Sequence, residues 1–113
     1  MNDPIDYLPL NPRDFLVLMS LTVGEKHGYR IVREVEEQSG GVVKMDPSNL
    51  YRSIKRLMNK GLVKETEAKR STSDKEQRRY YAITPLGRKV VKAEATRLDK
   101  LTAVAHQRRL IAG

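Results

Sequence analysis

The segment from Pro47 to Lys60 concentrates side chains that recognise nucleic acids. It carries four cations and no carboxylate, with serine, asparagine and tyrosine in its first half. Arginine donates two hydrogen bonds to guanine, asparagine pairs with adenine in the same way, and serine and lysine reach phosphates or base edges. The predicted contact residues are Ser48, Asn49, Tyr51, Arg52, Lys55 and Arg56. This composition predicts recognition of a polyanion, with Arg52 as the first candidate for a base contact.

One helix is predicted to position these side chains. Asp46 and Pro47 form an N-cap followed by proline at the first helical position, and Gly61 stands where a helix usually ends. Leu50, Ile54, Leu57 and Met58 recur at helical spacing as one apolar stripe. Opposite this stripe lie Ser48, Arg52, Lys55, Arg56 and Asn59, with Tyr51 at the border. The hypothesis requires that Arg52 and Arg56 face outward and are not paired with carboxylates of the same chain.

Two further helices are predicted ahead of this segment. The first begins at Asn11 and Pro12 and ends at Gly24, and the second runs from Gly28 to about Ser39. The apolar side of the first helix consists of Phe15, Leu18, Met19 and Thr22, and that of the second consists of Tyr29, Ile31, Val32 and Val35. The acidic residues Glu34, Glu36 and Glu37 are interpreted as a solvated helix face and not as a catalytic pair.

A β-hairpin and a long helix are predicted to follow. Two β-prone stretches, residues 62–68 and 78–84, flank a polar loop, and Thr84 with Pro85 begins a helix that continues to about Arg109. Cations of the hairpin predicted to contact DNA are Lys69, Arg70, Lys75 and Arg78. The element order predicts a mainly α protein with a small hairpin, a winged helix-turn-helix over residues 1–84 and a C-terminal dimerisation helix over residues 85–113, together in one compact unit.

The distribution of charge supports the same interpretation. The 113 residues carry 22 Lys and Arg against 14 Asp and Glu, a formal charge of +8, and the positive charge lies in the middle and C-terminal parts. A solvated cationic helix face is common, but the segregated charge and the basic hairpin favour double-stranded DNA as the partner. The alternative left open is a winged-helix module that binds RNA or protein without operator specificity.

Several function classes are disfavoured by what the chain contains. There is no cysteine, and the two histidines, His27 and His106, fall in different predicted elements without a ligand-spaced carboxylate cluster. We therefore expect no metal, no cofactor and no enzymatic activity, and interpret His27 as structural, helping to end the first turn region. The longest apolar run is five residues, so we expect neither a membrane span nor a secretory signal, and a cytoplasmic protein.

Three stretches together resemble the PadR family of transcriptional regulators. They are residues 24–31 (GEKHGYRI), residues 50–57 (LYRSIKRL) followed by Gly61-Leu62-Val63, and residues 78–87 (RRYYAITPLG). The resemblance implies a homodimeric winged-helix repressor on a palindromic operator, with the C-terminal helix packed against the partner's N-terminal helix and Tyr51 near the DNA backbone. Two departures concern Arg52, which stands where the family often has proline, and the absence of the tryptophans that stack planar drugs in some members.

The last helix also predicts a dimer from its own residues. Val91, Ala95, Leu98, Leu101 and Ala105 form an apolar stripe that a helix protruding from so small a domain cannot bury alone. The alternative is a helix folded back on its own core. The predicted dimer contacts are Phe15, Val91, Leu98, Leu101 and Ala105. A small hydrophobic effector is a further partner that the resemblance allows.

Overall fold

The structure, a computed structural model, describes residues 3–66 and 79–112. A 3-10 helix, Pro4–Tyr7, precedes the regular elements. The four α-helices are α1 (Pro12–Leu21), α2 (Gly28–Gln38), α3 (Pro47–Asn59) and α4 (Pro85–Gln107), and the three strands are β1 (Lys26–His27), β2 (Val63–Thr66) and β3 (Tyr80–Ile83). This order confirms the predicted mainly α winged helix-turn-helix fold.

The predicted helix starts are confirmed by side-chain hydrogen bonds. Asn11, Asp46 and Thr84 each accept a hydrogen bond from the backbone N–H three residues later, at 2.9, 2.7 and 3.0 Å. Proline occupies the first turn of each of these three helices, where its missing N–H would have no partner in any case. His27 begins α2 in the same way, because its Nδ1 accepts from the N–H of Arg30 at 3.3 Å. His27 is therefore structural as predicted, but it begins α2 and does not serve to end the turn before it.

The sheet has one more strand than the sequence predicts. β3 lies in the centre, antiparallel to β2 on one side and to β1 on the other. The register pairs Val63 with Ile83 and Thr66 with Tyr80 across the hairpin, and His27 with Tyr80 on the other edge. Two residues are too few for a periodic pattern, so β1 leaves no signal in the sequence. The pairing of β1 with β3 attaches the start of α2 to the hairpin of β2 and β3, which is the wing of the fold.

The core lies between the helices and the inner face of the sheet, and its composition corrects two predicted stripes. Met58 is 39% exposed and Tyr29 is 66% exposed, although both were assigned to apolar stripes. On α3 the buried positions are Leu50, Ser53, Ile54 and Leu57. On α2 the buried positions are Ile31 and Val35. The buried side of α3 therefore includes Ser53 and leaves out Met58, unlike the predicted stripe.

The stripe of α1 is also shifted. Val17, Leu18 and Leu21 are buried, whereas Phe15 and Met19 are only half-buried. Asp14, in the first turn of α1, is 2% exposed and lies inside the protein. Helix α1 therefore has two apolar sides. One side packs in the core of its own chain, and the other is partly open at the surface.

Two glycines are required where α3 and α4 meet the hairpin. Gly61 has a φ of +76° and ends α3, with the N–H of Leu62 donating to the carbonyl oxygen of Leu57 at 2.9 Å, so the chain reverses into β2. Gly87 lies in the first turn of α4, where a Cβ atom would overlap the carbonyl oxygen of Leu62. The close approach at Gly87 packs the start of α4 against the turn between α3 and β2.

Only the first half of α4 folds back on its own core. Its buried residues are Gly87, Val90, Val91 and Glu94, and the side chains beyond them are more exposed, with Leu101 at 53%. The predicted dimer contact Val91 is 6% exposed and belongs to the core of its own chain, which corrects that assignment. The molecule measures 54 × 36 × 22 Å. Within the described part of the chain, no helix combines the length and apolarity needed to cross a bilayer.

A buried carboxylate attaches the N-terminal segment to α4. Glu94 is 1% exposed; its Oε2 accepts the N–H of Leu10 at 2.8 Å and an N–H from Nη2 of Arg97 at 3.0 Å, and Nε of Arg97 donates to Oε1. The hydrogen bonds from Arg97 lower the pKa of Glu94, with a smaller lowering from the N–H of Leu10, against the opposing effect of burial. This contact keeps the residues before α1 against the helix.

We expect Glu94 to make folding stability depend on pH in the acidic range. A carboxyl with a lowered folded-state pKa stabilises the protein fully above its ordinary pKa of 4.5, and this contribution is lost as the pH falls through the lower folded value. The difference in melting temperature between the wild type and Glu94→Gln should therefore be constant above about pH 5 and shrink below it. The matched variant Glu36→Gln, at an exposed position of α2, measures the effect of removing one surface charge. A difference that stays constant down to pH 2 would contradict this role.

Candidate nucleic-acid interface

Helix α3 presents most of its predicted contact residues to solvent. Ser48, Arg52 and Lys55 are exposed, Tyr51 is 55% exposed, and Asn49 is half-buried. Leu50, Ile54 and Leu57 anchor the opposite side of the helix in the core, which holds the exposed side at a fixed orientation. The arrangement therefore places two cations and several hydrogen-bonding groups on one open surface.

Arg56 differs from the other predicted contacts. Its Nε and Nη2 donate to the two carboxylate oxygens of Asp14, both at 2.8 Å, and its side chain is 41% exposed. The hydrogen bond to Asp14 is the main cause that raises the pKa of Arg56. Pairing with a carboxylate of the same chain corrects the expectation that Arg56 belongs to the free cationic face. The requirement stated for the hypothesis is therefore met by Arg52, which is exposed, and fails for Arg56. The interface is accordingly restricted to the side of α3 that exposes Arg52 and Lys55.

An aromatic depression of about 610 Å³ adjoins the start of α3. Its lining comes from the first residues of α2, the first half of α3 and the start of β3: His27, Gly28, Tyr29, Val32, Pro47, Leu50, Tyr51, Ile54, Arg79 and Tyr81. The rings of His27 and Tyr29 are stacked at a centroid distance of 6.4 Å, and His27 meets Tyr80 edge-on at 5.5 Å. These contacts join α2, α3 and the wing into one continuous surface.

Two exposed residues of this surface were not predicted as contacts. Tyr29 was assigned to the core but points outward, with the guanidinium of Arg33 at 6.0 Å from its ring centroid. Arg79 is 70% exposed, and its Nε lies 3.6 Å from Oε1 of Glu65 on the neighbouring strand. An exposed pair at that distance holds the guanidinium only weakly. In the sequence, Arg79 could have been predicted as a contact because it stands beside Arg78. The exposure of Tyr29 could not have been predicted locally, because the spacing of apolar residues does not show whether Tyr29 faces the core or solvent.

Tyr81 shows how the wing meets this surface. It is 8% exposed and forms part of the core next to the depression. Burial raises the pKa of Tyr81, and the nearby carboxylate of Glu65 raises it further. Tyr81 therefore stays neutral and supports the surface from below. The predicted wing contacts Lys69, Arg70, Lys75 and Arg78 lie outside the described residues.

The groups that the structure brings together at the start of α3 are cations, polar side chains and aromatic rings. No group of three histidine or acidic side chains in residues 3–66 and 79–112 is arranged to hold a metal ion. Among the described residues, the deeply buried carboxylates are Asp14 and Glu94, and each is engaged by an arginine. Helix α2, the connecting turn and α3, flanked by the sheet, define a winged helix-turn-helix protein whose second helix presents an exposed arginine.

The chain belongs to the transcriptional regulator PadR-like family, whose sequence pattern matches residues 17–93. An uncharacterized 37.1 kDa protein in transposon TN4556 of Streptomyces fradiae is 34% identical over 92 residues, which make up 81% of this chain and 24% of that protein. The chain thus spans about a quarter of the length of this relative. The resemblance inferred from the three sequence stretches is confirmed.

Solved structures agree with this assignment. A PadR family transcription regulator from Clostridium difficile R20291 has a TM-score of 0.73 and 23% identity, with 84% of this chain and 95% of that chain covered. PadR of Bacillus subtilis, solved in complex with operator DNA, has a TM-score of 0.63 and 24% identity, with 75% of this chain and 47% of that chain covered. At these identities the likeness concerns the fold. The family and these neighbours are transcriptional regulators, which are generally not enzymes.

Proposed function

We propose that this protein is a sequence-specific DNA-binding repressor that acts as a homodimer on a palindromic operator. The observation that carries the proposal is the exposed side of α3, where Arg52 and Lys55 face solvent on a helix without any carboxylate. The DNA complex of the Bacillus subtilis neighbour supports the proposal, because its fold is shared. An RNA-binding or protein-binding module is the alternative that the experiments below separate.

In the proposed complex α3 lies in the major groove. The N-terminal part of a recognition helix reaches base edges, so Ser48, Asn49 and Arg52 are assigned to bases. Lys55, further along the helix, is assigned to phosphate, and Tyr51 to the DNA backbone, as the family resemblance implies. The first helix of a helix-turn-helix crosses the backbone, which assigns the exposed Tyr29 to a phosphate or sugar contact.

The wing is proposed to flank the recognition helix. Arg79 borders the depression beside Tyr51 and carries the cationic surface onto β3. The hairpin cations Lys69, Arg70, Lys75 and Arg78 are assigned to phosphates, and they add charge at the side of the groove. Phosphate contacts raise affinity for all sequences alike, whereas contacts to bases discriminate between them.

Residues 1–84 are proposed to be the DNA-binding unit and residues 85–113 the dimerisation helix, with the dimer interface on the second half of α4. Leu98 and Ala105 are half-buried and Leu101 is 53% exposed, in a helix that extends away from the core. Phe15 is half-buried on the partly open side of α1. Packing of these surfaces between two copies would bury apolar area that one copy leaves in water. A two-fold axis in such a dimer accounts for a palindromic operator. A small hydrophobic effector stays a prediction from the resemblance.

Salt dependence tests DNA binding directly. We expect the logarithm of the affinity for random duplex DNA to fall linearly with the logarithm of salt concentration, with a slope of about −5 for six phosphate contacts per dimer. Fluorescence anisotropy with a labelled 30-base-pair duplex between 50 and 300 mM salt measures the slope. The cationic surface described above is the reason for the expectation.

Two controls make this measurement specific. A double-stranded RNA of the same sequence separates DNA binding from the alternative, because its narrow major groove does not admit a helix. Selection of bound sequences from random DNA then identifies an operator. Equal affinity for RNA and DNA, or the absence of a preferred sequence, would support the alternative module.

A further inference from the structure

The Asp14–Arg56 pair joins two elements with different tasks. Asp14 lies in the first turn of α1, and Arg56 lies on α3, one helical turn after Arg52. Both carboxylate oxygens of Asp14 accept from the guanidinium, at 2.8 Å each, in the side-by-side geometry that gives arginine its strongest pairs. The pair spans 42 residues of sequence.

The two partners differ in their access to solvent. Asp14 is 2% exposed, so an unpaired carboxylate at this position would be a buried charge. The Arg56 side chain is 41% exposed and also lies within 3.4 Å of the Ser53 hydroxyl. Arg56 thus sits at the edge of the outward side of α3, with its charge directed to the interior.

Released from Asp14, this guanidinium would face the DNA. Arg56 follows Lys55 and stands four residues after Arg52, which places it beside the exposed cations on the helix surface. A free arginine there would bind phosphate of any sequence, because phosphate contacts carry no base information. Affinity for random DNA would then rise without an equal gain for the operator.

We propose that Asp14 is a specificity-determining residue of the DNA-binding surface, because it withholds the Arg56 guanidinium from the phosphate backbone. This inference rests on the proposed function, since it concerns discrimination between duplexes. Asp14 acts through Arg56 and does not touch DNA. The number of free cations on α3 is thereby set by a residue of α1.

The first test removes both partners. In Asp14→Leu/Arg56→Met, apolar side chains replace the pair, an exchange that is often neutral for stability. Because Arg56 contacts no phosphate in the wild type, we expect the salt slope on random duplex and the operator-to-random affinity ratio to equal those of the wild type. A slope shallower by about 0.9 per subunit would show that Arg56 contacts phosphate, and would overturn the inference.

The second test frees Arg56 while leaving it in place. In Asp14→Asn and Asp14→Leu we expect the salt slope to steepen by about 0.9 per subunit, and affinity for random duplex at 0.1 M salt to rise about tenfold per subunit. We expect the operator-to-random ratio to fall by a similar factor. Glu36→Gln is the matched control, because it removes one negative charge from an exposed position of α2 without releasing an arginine of α3.

The outcomes separate this inference from the proposed function. Folded variants of Asp14 with the slope and ratio of the wild type overturn the inference while the function stands. A change of equal size in the salt slope and the affinity ratio of Glu36→Gln also overturns the inference, because the total charge of the protein would then explain the effect. Absence of duplex binding by the wild type overturns both. Circular dichroism confirms that each variant is folded, and the double variant tests Arg56 independently of the single ones.

Discussion

Replacement of Arg52 by alanine is expected to reduce discrimination between the operator and random DNA by about tenfold to a hundredfold in each half-site. Arg52 is exposed on α3, two positions after the buried Leu50 and in the half of the helix that reaches base edges. A bidentate contact between arginine and guanine contributes about 1–3 kcal/mol of discrimination against the wrong base. A symmetric dimer has two such contacts, so the effect is doubled in free energy.

The measurement compares Kd values of wild type and Arg52→Ala for the selected operator and for a shuffled duplex at the same salt concentration. Lys60→Ala is the matched control, since it removes one exposed cation at the end of α3, far from the residues that reach bases. We expect the control to lower the affinity for both duplexes by the same factor. If Arg52→Ala also lowers the affinity for both duplexes by the same factor, Arg52 binds phosphate and the assignment of the base contact is wrong.

Leu101→Asp is expected to separate the dimer and to weaken operator binding by a hundredfold or more. Leu101 lies on the part of α4 that extends beyond the core, so a charge there should not disturb the fold of one chain. In a two-fold interface the substitution buries two carboxylates without partners, at a cost of several kcal/mol. A monomer also binds only one half-site, and the gain from linking two half-sites is lost.

Sedimentation analysis and operator titration check both parts of this expectation. Val23→Asp is the control, because it introduces the same charge at an apolar residue that is 80% exposed between α1 and β1. The control should retain the mass and the operator affinity of the wild type. A Leu101→Asp protein that keeps the dimer mass would exclude this part of α4 from the interface.

The elements that the sequence predicted well are those with local signals. An N-cap, a proline and a glycine act within about four residues of one another, and the bonds at Asn11, Asp46 and Thr84 form as their spacing predicts. The hairpin was predicted for a similar reason, because β-prone stretches lie on both sides of a polar loop. Strand β1 escaped prediction because its pairing depends on Tyr80 and Tyr81, more than fifty residues later.

The candidate site was predicted in part. Arg52 and Lys55 are exposed as expected, because the apolar stripe of α3 faces the core and the opposite side of the helix must then face solvent. The stripe itself was misplaced at its edges, where Ser53 is buried and Met58 is 39% exposed. Helical spacing defines the direction of a face to within about one residue, and neighbouring elements decide the rest.

The residue types along the chain established the order of helices and strands, the surplus of cations on α3 and the membership of a family of regulators, because each follows from short-range patterns. The folded chain alone decided which of those cations is free. Arg56 and Lys55 are adjacent and both cationic, yet of the two only Arg56 meets a buried carboxylate, contributed by Asp14 from 42 positions away. Whether a charge is neutralised depends on which partner lies within about 3 Å, and folding brings that partner into place.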